Sequence, residues 1–80
     1  MPAFTLADLQ AIAREVIGDR EIALSPEMEA ADVPGWDSLN HTLISVEIES
    51  QTGAAVDAQQ LAQCPTFGDL VAFVAARLPG

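Results

Sequence analysis

Gly35-Trp36-Asp37-Ser38-Leu39 joins a loop to a helix, and the reading of the whole chain turns on that junction. Gly35 punctuates the segment before it. Asp37 is well suited to cap a helix, which places Ser38 in the first turn. The helix then runs to about Thr52, where Gly53 stops it. A hydroxyl in that first turn is exposed. The free backbone N–H groups and the positive end of the helix dipole favour a phosphate attached to it. These residues alone leave two readings open: Asp37 and Ser38 only cap a helix, or Ser38 is a modified residue.

Upstream, residues 19–36 are long for an unstructured connection in so small a domain. Ile22, Leu24, Met28, Val33 and Trp36 are spread through it, which predicts that the loop packs against helices. Ser25-Pro26-Glu27 is placed to start a single helical turn. Ahead of the loop, Thr5 is the cap of a first helix with Asp8 at N3, and Phe4 is set to staple onto Leu9. Leu6, Leu9, Ile12, Ala13, Val16 and Ile17 then recur at helical spacing up to Gly18.

Downstream, Asp57 as cap, Gln60 at N3 and a Val56–Leu61 staple predict a short third helix. Thr66, after Pro65, opens a fourth with Phe67, Leu70, Val71, Phe73, Val74 and Leu78 as its apolar positions and an end before Pro79. No stretch alternates for long enough to build a sheet. The expected fold is all-α: a small bundle of three main helices and one short one, with a long first loop. One domain over residues 1–80 is expected, with no repeat and no low-complexity tract.

Eighty residues, half of them hydrophobic, are enough for one modest core and too few for a cleft between two domains. Twelve acids stand against three basic residues (Arg14, Arg20 and Arg77), with no lysine, for a net charge of −9. That charge repels nucleic acid and anionic membrane and favours basic surfaces on other proteins. The single cysteine, Cys64, has no partner for an internal disulfide. No signal-peptide pattern opens the chain and no apolar run approaches membrane-spanning length. A cytoplasmic monomer without membrane insertion is the expectation.

In this order of elements the junction resembles the attachment site of the acyl carrier and peptidyl (aminoacyl) carrier protein family, in which Asp-Ser-Leu starts the second helix. The resemblance spans nearly the whole chain, from the first helix and long loop through Gly35-x-Asp37-Ser38-Leu39 to the last helix from Thr66. It implies 4′-phosphopantetheine attached covalently to Ser38, with Asp37 as the cap beside it. A phosphopantetheinyl transferase would move the arm from coenzyme A onto the Ser38 hydroxyl. An adenylating acyl or aminoacyl ligase would load the arm's thiol with a thioester, and a downstream acyl-accepting enzyme would take the cargo. The implied function is a stand-alone carrier that is not itself an enzyme and whose tether raises local concentration. The alternative is an unmodified, carrier-like helical interaction domain, which has no need for the complete Asp37-Ser38-Leu39 site.

Carriers of fatty acid synthesis usually follow Asp-Ser-Leu with an acidic residue and place another three positions later. Here those positions hold Asn40 and Leu43, and Glu47 and Glu49 supply acidity only farther along. The departure points away from housekeeping fatty acid synthesis and toward a dedicated ligase with a specialised product. At about 100° per residue, Leu39, Leu43 and Val46 share a stripe nearly opposite Ile44 and Ile48. The resemblance turns the two isoleucines inward, so Leu39, Asn40, Leu43, Val46 and Glu47 form the expected partner face.

His41 and Asp37 lie close to Ser38 in sequence, yet neighbours on one exposed helix turn lack the shielding of a catalytic triad. His41 is instead expected on the helix face, covering the core edge or lying near the arm. One histidine and one cysteine cannot build a structural zinc site, and the acids show no calcium-loop pattern. Cys64 is expected as a half-buried small residue ahead of the last helix.

Overall fold

Every helix begins where a side chain caps it. The computed structural model describes residues 3–78. Among them the chain forms α1 (Leu6–Ile17), α2 (Ser38–Thr52), α3 (Ala58–Ala62) and α4 (Phe67–Ala75), with a 3-10 turn at Ala30–Asp32 and no strand. On α1 the Thr5 hydroxyl accepts the Asp8 N–H at 3.3 Å, and the Asp8 carboxylate accepts the Thr5 N–H at 2.9 Å. Asp57 and Gln60 repeat this reciprocal box on α3, and Thr66 caps α4 through the Asp69 N–H. Gly18 and Gly53 end α1 and α2 in the left-handed conformation. Caps of this kind contribute roughly 1 kcal/mol each by satisfying donors that a helix leaves unpaired.

α1 packs on α2 and α4, and α2 packs on α3. The largest fully buried side chains are Leu9, Ile12, Ile44, Ile48, Leu61, Phe67 and Val74, so all four helices feed one core. Burying such a side chain stabilises the fold by about 1.5–3 kcal/mol. Phe4 and Val56, which precede the caps of α1 and α3, are buried in the same cluster as Leu9 and Leu61, as hydrophobic staples require.

The long loop is ordered by side chains of α1. Gln10 Oε1 accepts the Leu24 N–H at 2.8 Å, and Arg14 Nε donates to the Ile22 carbonyl at 2.7 Å. Ile22 and Val33 are buried, and Leu24, Met28 and Trp36 pack half-buried against the core. A single turn does start at Ser25-Pro26-Glu27. The Met28 N–H closes a single turn onto the Ser25 carbonyl, while the carbonyls of Pro26 and Met28 accept the N–H groups of Gly68 and Phe67, each at 2.9 Å. Those N–H groups belong to the first turn of α4 and have no acceptor within their own helix. The turn goes no further as a helix, and its carbonyls cap a helix elsewhere in the chain. A separate 3-10 turn follows at Ala30–Asp32, where the Asp32 carboxylate accepts the Glu29 N–H. α4 also ends sooner than expected. Beyond Ala75, the Arg77 and Leu78 N–H groups reach back only three residues, to Val74 and Ala75. Pro79 lies outside the described residues.

Gly35 brings the loop onto α1 just ahead of α2. Its φ is +89°, and a Cβ there would lie 2.7 Å from Ile17 Cγ2. Its carbonyl accepts both the Asp37 N–H at 3.0 Å and Asn40 Nδ2 at 2.7 Å. Gly35→Ala is therefore expected to cost about 1–3 kcal/mol, from left-handed backbone strain together with displacement of Ile17. The denaturant midpoint reads this directly. A loss below about 0.5 kcal/mol would mean that the backbone relaxes out of this conformation at little cost.

Candidate functional site

The start of α2 is fixed by Asp37. Its backbone is extended, its Oδ1 accepts the Asn40 N–H at 2.8 Å, and its carbonyl accepts the His41 N–H at 2.8 Å. Ser38 follows as the first helical residue and is exposed. Helix geometry leaves the Ser38 and Leu39 N–H groups without an intrahelical acceptor. The helix they open is fifteen residues long, and the positive end of its dipole lies at this hydroxyl. The Thr42 hydroxyl donates to the Ser38 carbonyl at 3.0 Å.

Asn40 reaches back toward the loop, and its Nδ2 donates to the Gly35 carbonyl at 2.7 Å. An ionised carboxylate at this position has no proton to give to that bond. Asn40 thus braces the turn that delivers Ser38, a task an acid cannot perform.

Trp36, His41 and Ala58 form a hydrogen-bonded chain beside the serine. Trp36 Nε1 lies 3.1 Å from His41 Nδ1, and His41 Nε2 lies 2.8 Å from the Ala58 carbonyl. An indole N–H only donates, so Nδ1 is the acceptor, and the ring proton on Nε2 is donated to Ala58. Trp36 also lies against Phe67, with ring centroids 4.8 Å apart. His41 therefore covers the core edge beside Ser38 and pins α2 to α3. With both ring nitrogens engaged and the Asp37 carboxylate committed to Asn40, the three residues do not assemble a Ser-His-Asp relay.

Next to Ser38 the surface opens into a groove between α2 and α3, bordered by Trp36, His41, Thr42, Ala58 and Gln59. An exposed hydroxyl on the rim of an open groove, with free N–H groups in its helix turn, fits a phosphate-linked flexible arm in both charge and space. Along the outer face of α2, Leu39, Leu43 and Val46 are 69, 45 and 59% exposed, while Ile44 and Ile48 on the other face are 1 and 0% exposed. Glu47 is half-buried, and its Oε1 accepts Gln51 Nε2 at 2.8 Å. Asp37, Ser38 and Leu39 thus meet at the helix start, and Leu43 and Val46 continue the exposed face.

Trp36, Ala58 and Gln59 stand outside the set of residues expected from sequence. A half-buried tryptophan calls for an N–H partner, and the single histidine lies five residues on, so that contact leaves a trace in the sequence. The Ala58 contact is made through a backbone carbonyl and leaves none.

Cys64 is half-buried, with Sγ 3.8 Å from the Gln60 carbonyl. Burial pushes its thiol above the ordinary value, Asp69 adds to the rise, and Arg77 opposes it. The thiol stays protonated at neutral pH and is a poor nucleophile there. Among the described residues no group of His, Cys, Asp or Glu is placed to hold a metal ion, and no helix is long and apolar enough to cross a membrane.

Residues 7–74 match the family described as "Phosphopantetheine attachment site". The structure is similar to the solution NMR structure of a holo acyl carrier protein from Geobacter metallireducens. The TM-score is 0.80, with 34% sequence identity over 96% of this chain and 86% of that one. No curated protein matches the chain.

Proposed function

The chain belongs to the phosphopantetheine attachment family and has the acyl carrier protein fold, and from that premise we propose that Ser38 bears the arm of an acyl or aminoacyl carrier serving a specialised pathway. The position of Ser38 among the four serines carries this reading. Ser45 is buried and donates to the Thr42 carbonyl at 2.7 Å. Ser25 is half-buried in the loop, and Ser50 sits in the last turn of α2, where the dipole disfavours an anion. Ser38 alone combines exposure with the start of a long helix.

The covalent 4′-phosphopantetheine of this family supplies a terminal thiol on which cargo is held as a thioester. The chain's own part begins at Ser38 Oγ, which takes the phosphopantetheinyl group from coenzyme A. A P–O bond forms from Oγ to the phosphorus that carries pantetheine, the P–O bond of the coenzyme A diphosphate breaks, adenosine 3′,5′-bisphosphate leaves, and the hydroxyl proton passes to a base of the transferase. The Ser38 and Leu39 N–H groups lie in the turn that receives the phosphate, and Asp37 keeps that turn in place. Leu39, Leu43 and Val46, with Asn40 and Glu47 at their edges, are the face offered to a phosphopantetheinyl transferase, an adenylating ligase and an acyl-accepting enzyme. Carrier domains of this family are not themselves catalytic. The engagement of both His41 nitrogens supports the same reading here.

The specialised pathway rests on positions 40 and 43. Asn40 is tied to Gly35, and Leu43 offers apolar surface where carriers of fatty acid synthesis resemble one another in offering charge. Coexpression with a broad-specificity transferase should add one arm, found by mass spectrometry on the peptide that contains Ser38. A housekeeping malonyl transacylase should then load the armed protein at least about tenfold less efficiently than its own carrier, a difference of about 1.4 kcal/mol. Comparable loading would overturn the specialised pathway. No arm at Ser38, under conditions that arm a control carrier, would leave an unmodified interaction domain as the better reading.

A further inference from the structure

His41 is the single histidine of the chain, and the hydrogen bonds around it suit only one of its protonation states. Trp36 Nε1 stands 3.1 Å from His41 Nδ1, and an indole N–H can only donate, so Nδ1 has to be bare. Nε2 keeps its proton, 2.8 Å from the Ala58 carbonyl. Imidazolium carries an N–H on both nitrogens. A proton added to Nδ1 therefore meets the indole N–H donor to donor, and the Trp36 bond has to open. The Ala58 bond survives, because Nε2 donates in both states.

The elements packed around His41 bring few other charges. Its own helix contributes Asp37, whose carboxylate is taken by the Asn40 N–H. The link between α3 and α4 contributes Cys64, whose thiol burial keeps protonated. The loop offers Ala30 and Trp36, and Glu29 and Asp32 on either side of Ala30 are exposed. From α4 come the apolar Phe67 and Leu70, while Asp69 and the nearby Arg77 are exposed. On α3 the contact is a backbone carbonyl, and the Asp57 carboxylate before it holds the Gln60 N–H.

We propose that His41 is a proton-sensitive latch: neutral, it ties Trp36 of the long loop to α2, and protonated it releases the indole while keeping its bond to α3. Trp36 stands two residues before Ser38, so the latch sets how firmly the loop holds the start of α2. The unfolded chain takes up the same proton with no bond to lose. It therefore binds more protons than the folded chain, and stability falls as pH drops through the ordinary histidine range, around pH 6.5. The net charge of −9 works the other way, since self-repulsion eases as acids protonate. That relief begins about two pH units lower.

The test follows Trp36 emission and thermal unfolding from about pH 7.5 to about 5.5, in wild type and in His41→Gln. It uses the unarmed chain, so attachment at Ser38 plays no part in the outcome. Glutamine can accept from the indole through Oε1 and donate to Ala58 through Nε2, and it does not titrate. One tryptophan and no tyrosine make the emission specific. In wild type the emission should move to the red as pH falls, with the midpoint at which the His41 ring protons titrate by NMR. The melting temperature should fall by about 2–6 °C more in wild type than in His41→Gln. Emission of His41→Gln should stay constant. Wild-type emission that ignores pH while His41 titrates would overturn the latch, and so would the same pH response in His41→Gln. Should His41→Gln fail to fold, Trp36→Phe removes the donor and leaves His41 free to take the proton. Its melting temperature should then fall less than that of wild type over the same range, and an equal fall would overturn the latch.

Discussion

Ser38→Ala is expected to lose the arm completely while keeping its fold. The cap of α2 is the Asp37 carboxylate on the Asn40 N–H, so removing the neighbouring hydroxyl leaves the cap untouched. Ser38 is exposed, and alanine has the higher helix propensity, so stability should stay within about 0.5 kcal/mol of wild type. Removing the cap itself is the costly change in this turn, at about 0.5–2 kcal/mol. Against this small effect on the fold stands a total effect on modification, because no other serine offers the same setting. Ser45 is 4% exposed, and phosphorylating it would open the core. Intact mass and denaturant unfolding measure the two halves separately. An Ser38→Ala protein that still gains one arm would refute Ser38 as the attachment residue. One that unfolds would show that the hydroxyl has a structural role beyond the cap.

The helix starts are legible in the sequence because a cap is a local code. Thr5 with Asp8, Asp57 with Gln60, and Asp37 ahead of Ser38 each need only a side chain and a backbone three residues apart. The loop is less legible because its order comes from distant partners. Gln10 and Arg14 pin it from α1, and its own Pro26 and Met28 carbonyls are taken by the first turn of α4. A turn rule applied to Ser25-Pro26-Glu27 cannot see that demand. α2 poses a different difficulty. It carries leucine and valine on one face and isoleucine on the other, so periodicity alone does not choose the buried side. The resemblance to carrier proteins supplied that choice, and Ile44 and Ile48 are indeed the buried pair. At the site itself, Asp37 and Ser38 are local and readable. The His41–Ala58 contact joins two helices through a backbone atom, and no residue type marks it.

Neighbouring substitutions on α2 should give opposite results, and the contrast tests the docking face. Ile44 is 1% exposed, so Ile44→Glu places a carboxylate in the core, where burial without a partner costs several kcal/mol. A domain of this size has roughly 4–12 kcal/mol in total, so much of the protein should unfold. Leu43 is 45% exposed, and the glutamate of Leu43→Glu can stay in water, with a cost within about 1 kcal/mol. Its effect should appear in loading. Leu43 lies one helical turn beyond Leu39 on the face proposed to meet the ligase, and an apolar anchor at the centre of such a contact contributes on the order of 1–2 kcal/mol. Loading by a dedicated ligase should therefore fall about tenfold. The same substitution places an acid where carriers of fatty acid synthesis usually have one, so loading by a housekeeping transacylase should rise. Unfolding of Leu43→Glu beside a stable Ile44→Glu would reverse the assignment of the two faces. A folded Leu43→Glu protein with both loading rates unchanged would remove Leu43 from the docking surface. The proposed ligase would then have to recognise the chain through the loop side of Ser38, where Trp36 and Asp37 flank the groove.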